Sequence, residues 1–306
     1  MELVEARRIW NQAPHNAFTD LIRFAGRWFC VFREGQGHIS PDGALRVIAS
    51  PDGDRWESAA LIRSPNSDLR DAKITVTPDG RLMLCGAEKF HDPSEKVRQS
   101  LAWFSDDGYH WSEKHEIAER NYWLWRVTWH RGKAYGVGYL TSGGRERPAD
   151  RERLTRLYAS DDGKDFEVLV PRLFDDANES SIVFDGDTAL CLLRRDREPR
   201  SGLLGASEPP YTEWEWKDLG ARIGGPHMLL LPDGRLLAAV RLYDEPKRTS
   251  LCWLDRRSGK LAEALALPSG GDTSYAGLVP HDGLLWVSYY SSHEEKTSIY
   301  LAKVKV

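Results

Sequence analysis

One hairpin signal repeats six times along this chain at nearly even spacing. The copies are FAGRWFCV around Gly26, TPDGRLML around Gly80, HRGKAYGV around Gly132, FDGDTALC around Gly186, LPDGRLLA around Gly234 and PHDGLLWV around Gly283, at intervals of 54, 52, 54, 48 and 49 residues. In each, apolar or β-branched residues run into a polar turn with Asp or Gly and an alternating strand leaves it, the sequence form of a β-hairpin. A period of roughly fifty residues matches a four-stranded unit. Six such units consume all 306 residues. The expected fold is all-β, a six-bladed β-propeller occupying 1–306 as a single domain.

Closure of the ring follows from the two ends. The last unit supplies three evident strands, near Tyr275 to Val279, Leu284 to Tyr290 and Ser298 to Val304, while Leu3 to Ile9 precedes the first inner strand with nothing to pair with. The N-terminal strand is therefore expected to complete the last blade and remove its exposed edges. Cys30, Cys85, Cys191 and Cys252 lie in apolar strands of four different units with no CxxC spacing, which reads as reduced packing residues.

MELVEARRIW carries charges where a signal peptide needs an apolar stretch, and no later apolar run is long enough to span a membrane. The expectation is a cytoplasmic protein without a membrane partner. A net charge of −4 with no basic run argues against nucleic acid. The sequence assigns no oligomeric state.

A second repeat keeps phase with the first. SPDGDRW at Ser50 to Trp56, SDDGYHW at Ser105 to Trp111 and SDDGKDF at Ser160 to Phe166 each follow a strand. The Ser and Asp side chains bond the turn's backbone, the Gly permits the tight turn, and the terminal aromatic folds back onto the unit. The fourth unit has a degenerate SEPPYTEW, and the fifth has LDRRSGK. Three such Asp boxes inside six hairpin repeats resemble the sialidase (neuraminidase, BNR-repeat) superfamily of six-bladed propellers, across essentially the whole chain.

In an up-and-down blade the start of the first strand and the loop between the second and third strands share one face, opposite the Asp-box turns. Arg33, His38 and Asp42 from the first unit fall there, with Arg70 and Asp71 from the second and Trp123, Trp125, Arg126 and Tyr139 from the third. The later units add Glu179, Arg194 and Arg195, then His227 and Arg241, then Asp272 and Tyr275. Arginine forks bind carboxylates, aromatic faces cover sugars, and an acid with a nucleophile does glycoside chemistry, so the expected partner is a carbohydrate, anionic in character.

The resemblance implies individual roles. DTSYAGLVPHDGLLWVSYY is similar to the sialidase segment that carries a nucleophilic tyrosine, which makes Tyr275 the nucleophile. NESSIVFDGDTALCLLRR is similar to the segment with the partner glutamate, which makes Glu179 the base. Arg194 or Arg195, together with Arg241, then supplies a carboxylate clamp, and Asp42 is the acid/base. A neutral phenol is a better nucleophile than a carboxylate at an anomeric carbon that itself bears a carboxylate. Where sialidases open the first blade with Arg-Ile-Pro, this chain has HNAFTDLI, with neither arginine nor proline; Arg33 or Arg70 would have to substitute.

The chain has no HExxH, GxSxG, P-loop or dinucleotide fingerprint. No cofactor is expected, and the nine scattered histidines have no spacing for a dedicated metal site, although His15, His38 and His227 could meet at the axis as pocket or ligand residues. The charged segment Gly143 to Arg156 would overhang the same face. Two functions remain open: a retaining exo-glycosidase of sialidase type acting on an acidic or unusual sugar, and a non-catalytic propeller that binds a glycan or a protein through that face.

Overall fold

Alternation of apolar and polar residues between glycine turns produces strands throughout. The computed structural model describes residues 1–92, 94, 97–141 and 154–306, and every regular element among them is a β-strand. After β1 (Glu2–Trp10), the strands β2 (His15–Phe24), β3 (Arg27–Gly35), β4 (Ala44–Ser50) and β5 (Glu57–Ile62) form an antiparallel four-stranded meander. The same order recurs in β6 (Ser67–Val76), β7 (Leu82–Phe90), β8 (Arg98–Ser105) and β9 (His115–Ile117), and in β10 (Tyr122–His130), β11 (Lys133–Leu140), β12 (Leu154–Ser160) and β13 (Glu167–Asp175).

A seven-stranded sheet follows: β14 (Ala177–Asp185), β15 (Thr188–Arg195), β16 (Ser201–Ser207), β17 (Glu215–Leu230), β18 (Leu236–Leu242), β19 (Arg248–Leu254) and β20 (Leu261–Ala266). β17 belongs to two meanders: Glu215 to Arg222 pairs with β16, and Ile223 to Leu230 pairs with β18. The final sheet contains β21 (Thr273–His281), β22 (Leu284–Ser291) and β23 (Ser298–Lys305). β1 pairs antiparallel with β23, so the first strand of the chain is the outer strand of the last sheet.

The leading strands pack in a circuit: β2 on β6, β6 on β10, β10 on β14, β14 on β17, β17 on β21 and β21 back on β2. Gly277 is required where the circuit closes, since a Cβ there would lie 2.2 Å from Leu21 N. Apolar residues fill the wedges between neighbouring sheets, as where Val31, Val47 and Leu45 meet Leu69, Leu84 and Leu101. Both faces of most strands are covered in this way, which is why their sequences read as near-continuous apolar runs. The four cysteines are buried and unpaired.

The Ser-x-Asp-Gly turns behave alike. Ser50 Oγ accepts the Gly53 amide, Asp52 Oδ1 accepts the amides of Asp54 and Arg55, and the Trp56 indole donates to Gly53 O at 2.9 Å. Ser105, Asp107, Gly108 and Trp111 repeat this pattern. In the degenerate copy Tyr211 takes the left-handed position (φ 66) and the Trp214 indole still donates to its carbonyl. The charged segment Gly143 to Arg156 lies outside the described residues as far as residue 153.

Candidate functional site

Six β-bulges build the site. In each leading strand two residues oppose one on the next strand: Phe18 and Thr19 face Phe32, Asp71 and Ala72 face Gly86, Trp125 and Arg126 face Val137. Likewise Asn178 and Glu179 face Arg194, Gly225 and Pro226 face Val240, and Tyr275 and Ala276 face Tyr289. A bulge bends the strand and re-aims its side chains. Phe18, Asp71 and Tyr275 hold left-handed backbone at φ 65, 55 and 53, a state uncommon for the two aromatic residues and one found at functional sites.

A cleft of about 280 Å³ opens among these bulges, with Phe18, Asp71, Trp123, Tyr139, Glu179 and Tyr275 in its wall. The Tyr275 hydroxyl donates to Glu179 Oε1 at 2.6 Å. The same oxygen accepts Arg194 Nη1 at 2.5 Å, and Oε2 accepts the Gly225 amide at 2.8 Å, so the carboxylate is fixed in orientation. Burial together with the neighbouring Glu179 pushes the Tyr275 phenol well above its ordinary pKa. It is therefore neutral near pH 7 and needs a base to react. Burial opposes the charge on Arg194, but Glu179 outweighs it and the guanidinium stays protonated.

Asp71 enters the cleft from the second sheet, and burial raises its pKa against the pull of Arg70 and Lys73. Arg70 lines the cleft too, donating to Asp68 Oδ2 and His38 O, both at 3.1 Å. Trp123 and Tyr139 stack at 6.0 Å and 11° in the wall, a flat apolar surface of the kind that covers a sugar face. The cations Arg70, Lys89, Arg98 and Arg194 share the lining with the carboxylates Asp71, Glu179 and Asp196.

Several expected residues stand elsewhere. Asp42 accepts the Gln36 amide and lines a separate hollow with Ala13, Pro14 and Arg63, because the β3–β4 loop folds away from the cleft there. Arg33 is fully buried and commits its donors to Asp68, Gly37 O and Ser40, so it anchors that loop and does not line the cleft. Arg195 points away from Arg194, as strand alternation demands, and pairs with Asp218 and Ser201.

Arg241 is also outside the cleft lining. It donates to Thr273 O, Asp272 Oδ1 and Tyr290 Oη at 2.7, 2.8 and 2.8 Å, and its cation sits 5.6 Å from the Tyr275 ring centre. Trp125 packs edge-on against Tyr275 at 5.4 Å. Arg126 pairs with buried Asp20 at 2.8 Å, and Lys73, pushed down to about 8 by burial and by Arg126, donates to Thr19 O. His227 is half-buried, bonded to Ala276 O and pushed down to about 3 by desolvation, which keeps it neutral. Sequence reasoning missed Arg98, the first residue of β8, and Asp196, the residue after the Arg194–Arg195 pair. Its position at the end of a second strand was the only signal for Asp196.

No protein-family model matches the sequence, and no curated protein sequence matches it. Solved structures do. A protein of unknown function from Dyadobacter fermentans superposes with a TM-score of 0.87 at 19% identity, over 100% of this chain and 99% of that one. Trypanosoma rangeli sialidase, which has also been solved with sialic acid, gives 0.75 at 11% identity over 95% of this chain and 55% of that one. Penicillium chrysogenum α-L-arabinanase complexed with arabinobiose gives 0.68 at 11% identity over 100% and 99%. At such identities the likeness establishes the fold, which is all-β and sialidase-like, of the kind shared by propeller glycoside hydrolases.

Proposed function

We propose that residues 1–306 form one propeller of six four-stranded blades and that its axial cleft hydrolyses a glycosidic bond with retention. The blade count takes the two halves of β17 as the outer strand of the fourth blade and the inner strand of the fifth, and the three Ser-x-Asp-Gly turns as Asp boxes. The hydrogen bond from Tyr275 to Glu179 carries the catalytic reading.

Tyr275 Oη attacks the anomeric carbon while its proton passes to Glu179 Oε1, and the bond to the aglycone oxygen breaks as Asp71 donates a proton to that oxygen. Water then adds to the anomeric carbon, giving its proton to Asp71, and the phenol leaves with the proton returned from Glu179. Arg70 and Arg194 would take a carboxylate or other anionic group of the sugar, while Trp123 and Tyr139 would cover an apolar face. Asp71 replaces Asp42 in this scheme because it shares the cleft with the pair.

The first blade contributes Phe18 where sialidases contribute an arginine, and Arg33 is spent on Asp68. This favours an acidic sugar other than sialic acid. It also supports a second reading, a glycan-binding propeller without turnover. A screen of nitrophenyl and methylumbelliferyl glycosides, including uronides and nonulosonates, decides between them. Turnover that Tyr275→Phe abolishes supports catalysis; saturable glycan binding with no turnover on any substrate supports the second reading.

A further inference from the structure

Beside the cleft a second group of chemistry-bearing side chains converges. His15 begins β2, His38 lies in the loop between β3 and β4, and Asp272 immediately precedes β21; one donor atom from each lies within 4.8 Å of the others. Asp272 Oδ2 is 2.7 Å from His38 Nδ1 and 3.7 Å from His15 Nε2. The second separation is long for a hydrogen bond. It is close to the spacing of two ligands on one tetrahedral ion, roughly 3.3 Å for bonds of about 2.0–2.1 Å.

His15 is only 7% exposed, and among the described residues its Nδ1 has no partner. Its Nε2 is the nitrogen nearest the Asp272 carboxylate and stands beyond hydrogen-bond distance of Oδ2. The other half of the carboxylate is engaged: Oδ1 accepts Arg241 Nη2 at 2.8 Å and Tyr290 Oη at 2.7 Å. These bonds hold the carboxylate in place as outer partners of a metal ligand do. The imidazoles pack against each other at 5.6 Å, and Phe18 packs against both, at 6.2 Å from His15 and 5.2 Å from His38.

We propose that His15 Nε2, His38 Nδ1 and Asp272 Oδ2 bind one divalent first-row transition ion, Zn²⁺ above all, with a fourth position open to water on the exposed side of His38. Two imidazoles and one carboxylate are a ligand set that suits zinc. The guanidinium of Arg241 on the same carboxylate, and that of Arg70 on the His38 carbonyl, repel a cation held by charge alone. They select for an ion bound strongly through nitrogen and against Ca²⁺ or Mg²⁺. Such an ion would tie the first sheet to the last where the strand circuit closes. The proposal does not depend on the glycosidase reading, since binding is measured without a sugar.

The test is titration of the chelator-treated full chain with Zn²⁺ by calorimetry and with Co²⁺ by absorption. The expected result is one ion per chain, intense visible Co²⁺ bands of tetrahedral type, no competition from Ca²⁺ and a rise in Tm on adding Zn²⁺. His38→Ala, which removes a half-exposed ring, should keep the metal-free Tm of the parent yet bind at least about tenfold more weakly. Tyr275→Phe should bind metal as the parent does. Failure to bind Zn²⁺, or equal binding by His38→Ala and the parent, would overturn the site, leaving a plain histidine–carboxylate hydrogen bond.

Discussion

Tyr275 and Glu179 stand 96 residues apart in the chain, yet the Tyr275 hydroxyl donates to Glu179 Oε1 at 2.6 Å. Two bulges produce this meeting. Tyr275 adopts φ 53 directly after Ser274 at φ 100, and the rings of Phe18, Trp125 and Tyr290 surround it at 5.1, 5.4 and 5.8 Å. Backbone strain of this kind costs on the order of 1–3 kcal/mol per residue and persists only where packing fixes it. The fold itself thus holds the phenol against the Glu179 carboxylate.

Tyr275→Phe removes one hydroxyl and leaves the ring packing intact. On a substrate that the parent cleaves, kcat should fall by at least roughly 10²–10⁴-fold with little change in Tm. Glu179→Gln should do the same, and the double variant should lose little beyond the worse single one, because groups that act as a unit are not additive. Multiplicative losses in steady-state assays would show that the two act independently.

Asp71→Asn and Asp42→Asn separate the two candidate acids. Asp71 lies in the cleft with its pKa raised by burial, whereas Asp42 is exposed and bonded to the Gln36 amide. Asp71→Asn should depress kcat/KM strongly for alkyl glycosides and far less for nitrophenyl glycosides, whose leaving groups need no proton. Asp42→Asn should leave both rates within about twofold of the parent. The reverse pattern would return the acid role to Asp42.

Arg33→Ala and Arg70→Ala should fail in different ways. Arg33 is buried against Asp68 at 2.8 Å, and removing one member of a buried pair costs about 3–5 kcal/mol, visible as a large drop in urea midpoint. Arg70 lines the cleft, so its loss should weaken an anionic ligand by roughly 1.5–3 kcal/mol. Calorimetric titration with a uronate and urea unfolding of both variants tell the two effects apart.

Much of the architecture was legible in the residues. The glycine hairpins near Gly26, Gly80 and Gly283 predicted strands that are present, and Leu3 to Ile9 lies in the strand that pairs with β23. The pairing of Tyr275 with Glu179 was also within reach, because both segments start leading strands. The bulges were not, since a left-handed Phe18 or Asp71 is imposed by tertiary packing and leaves no turn residue to mark it. Nor could spacing separate Arg194 from Arg195 or reveal that Arg33 turns back to Asp68. Those outcomes depend on side-chain direction and on long-range partners, neither of which periodicity encodes.

His227 sets part of the acid stability. Burial, reinforced by Arg126, depresses its pKa from 6.5 to about 3 in the folded chain. Between those values the unfolded chain binds a proton that the folded chain refuses, so stability rises with pH from about 3 to 6.5 and falls on acidification. The contribution is at most about 5 kcal/mol over that window, at about 1.4 kcal/mol per unit. His227→Asn, whose side-chain amide can place a donor near the Nδ1 position for Ala276 O, should flatten this portion of a urea-midpoint profile taken from pH 7 to pH 4. An unchanged slope would mean that the histidine is protonated in the fold.

The turn glycines offer a test of how the sheets are locked together. Gly80 and Gly108 have nearly identical backbone, φ +81 and +80, so alanine at either incurs the same left-handed strain of roughly 1–2 kcal/mol. Their surroundings differ. Among the described residues nothing lies within 4 Å of a Cβ at Gly80, but one at Gly108 would sit 2.3 Å from the Phe29 ring of the preceding sheet. Gly53 repeats the arrangement, 2.3 Å from the Trp286 ring of the last sheet. Gly80→Ala should therefore cost only the backbone strain, while Gly108→Ala and Gly53→Ala should each lose a further 1–3 kcal/mol or so from overpacking at the seam between sheets. Urea unfolding measures all three, and equal midpoints would show that these turns cap their own sheets without bracing the neighbours.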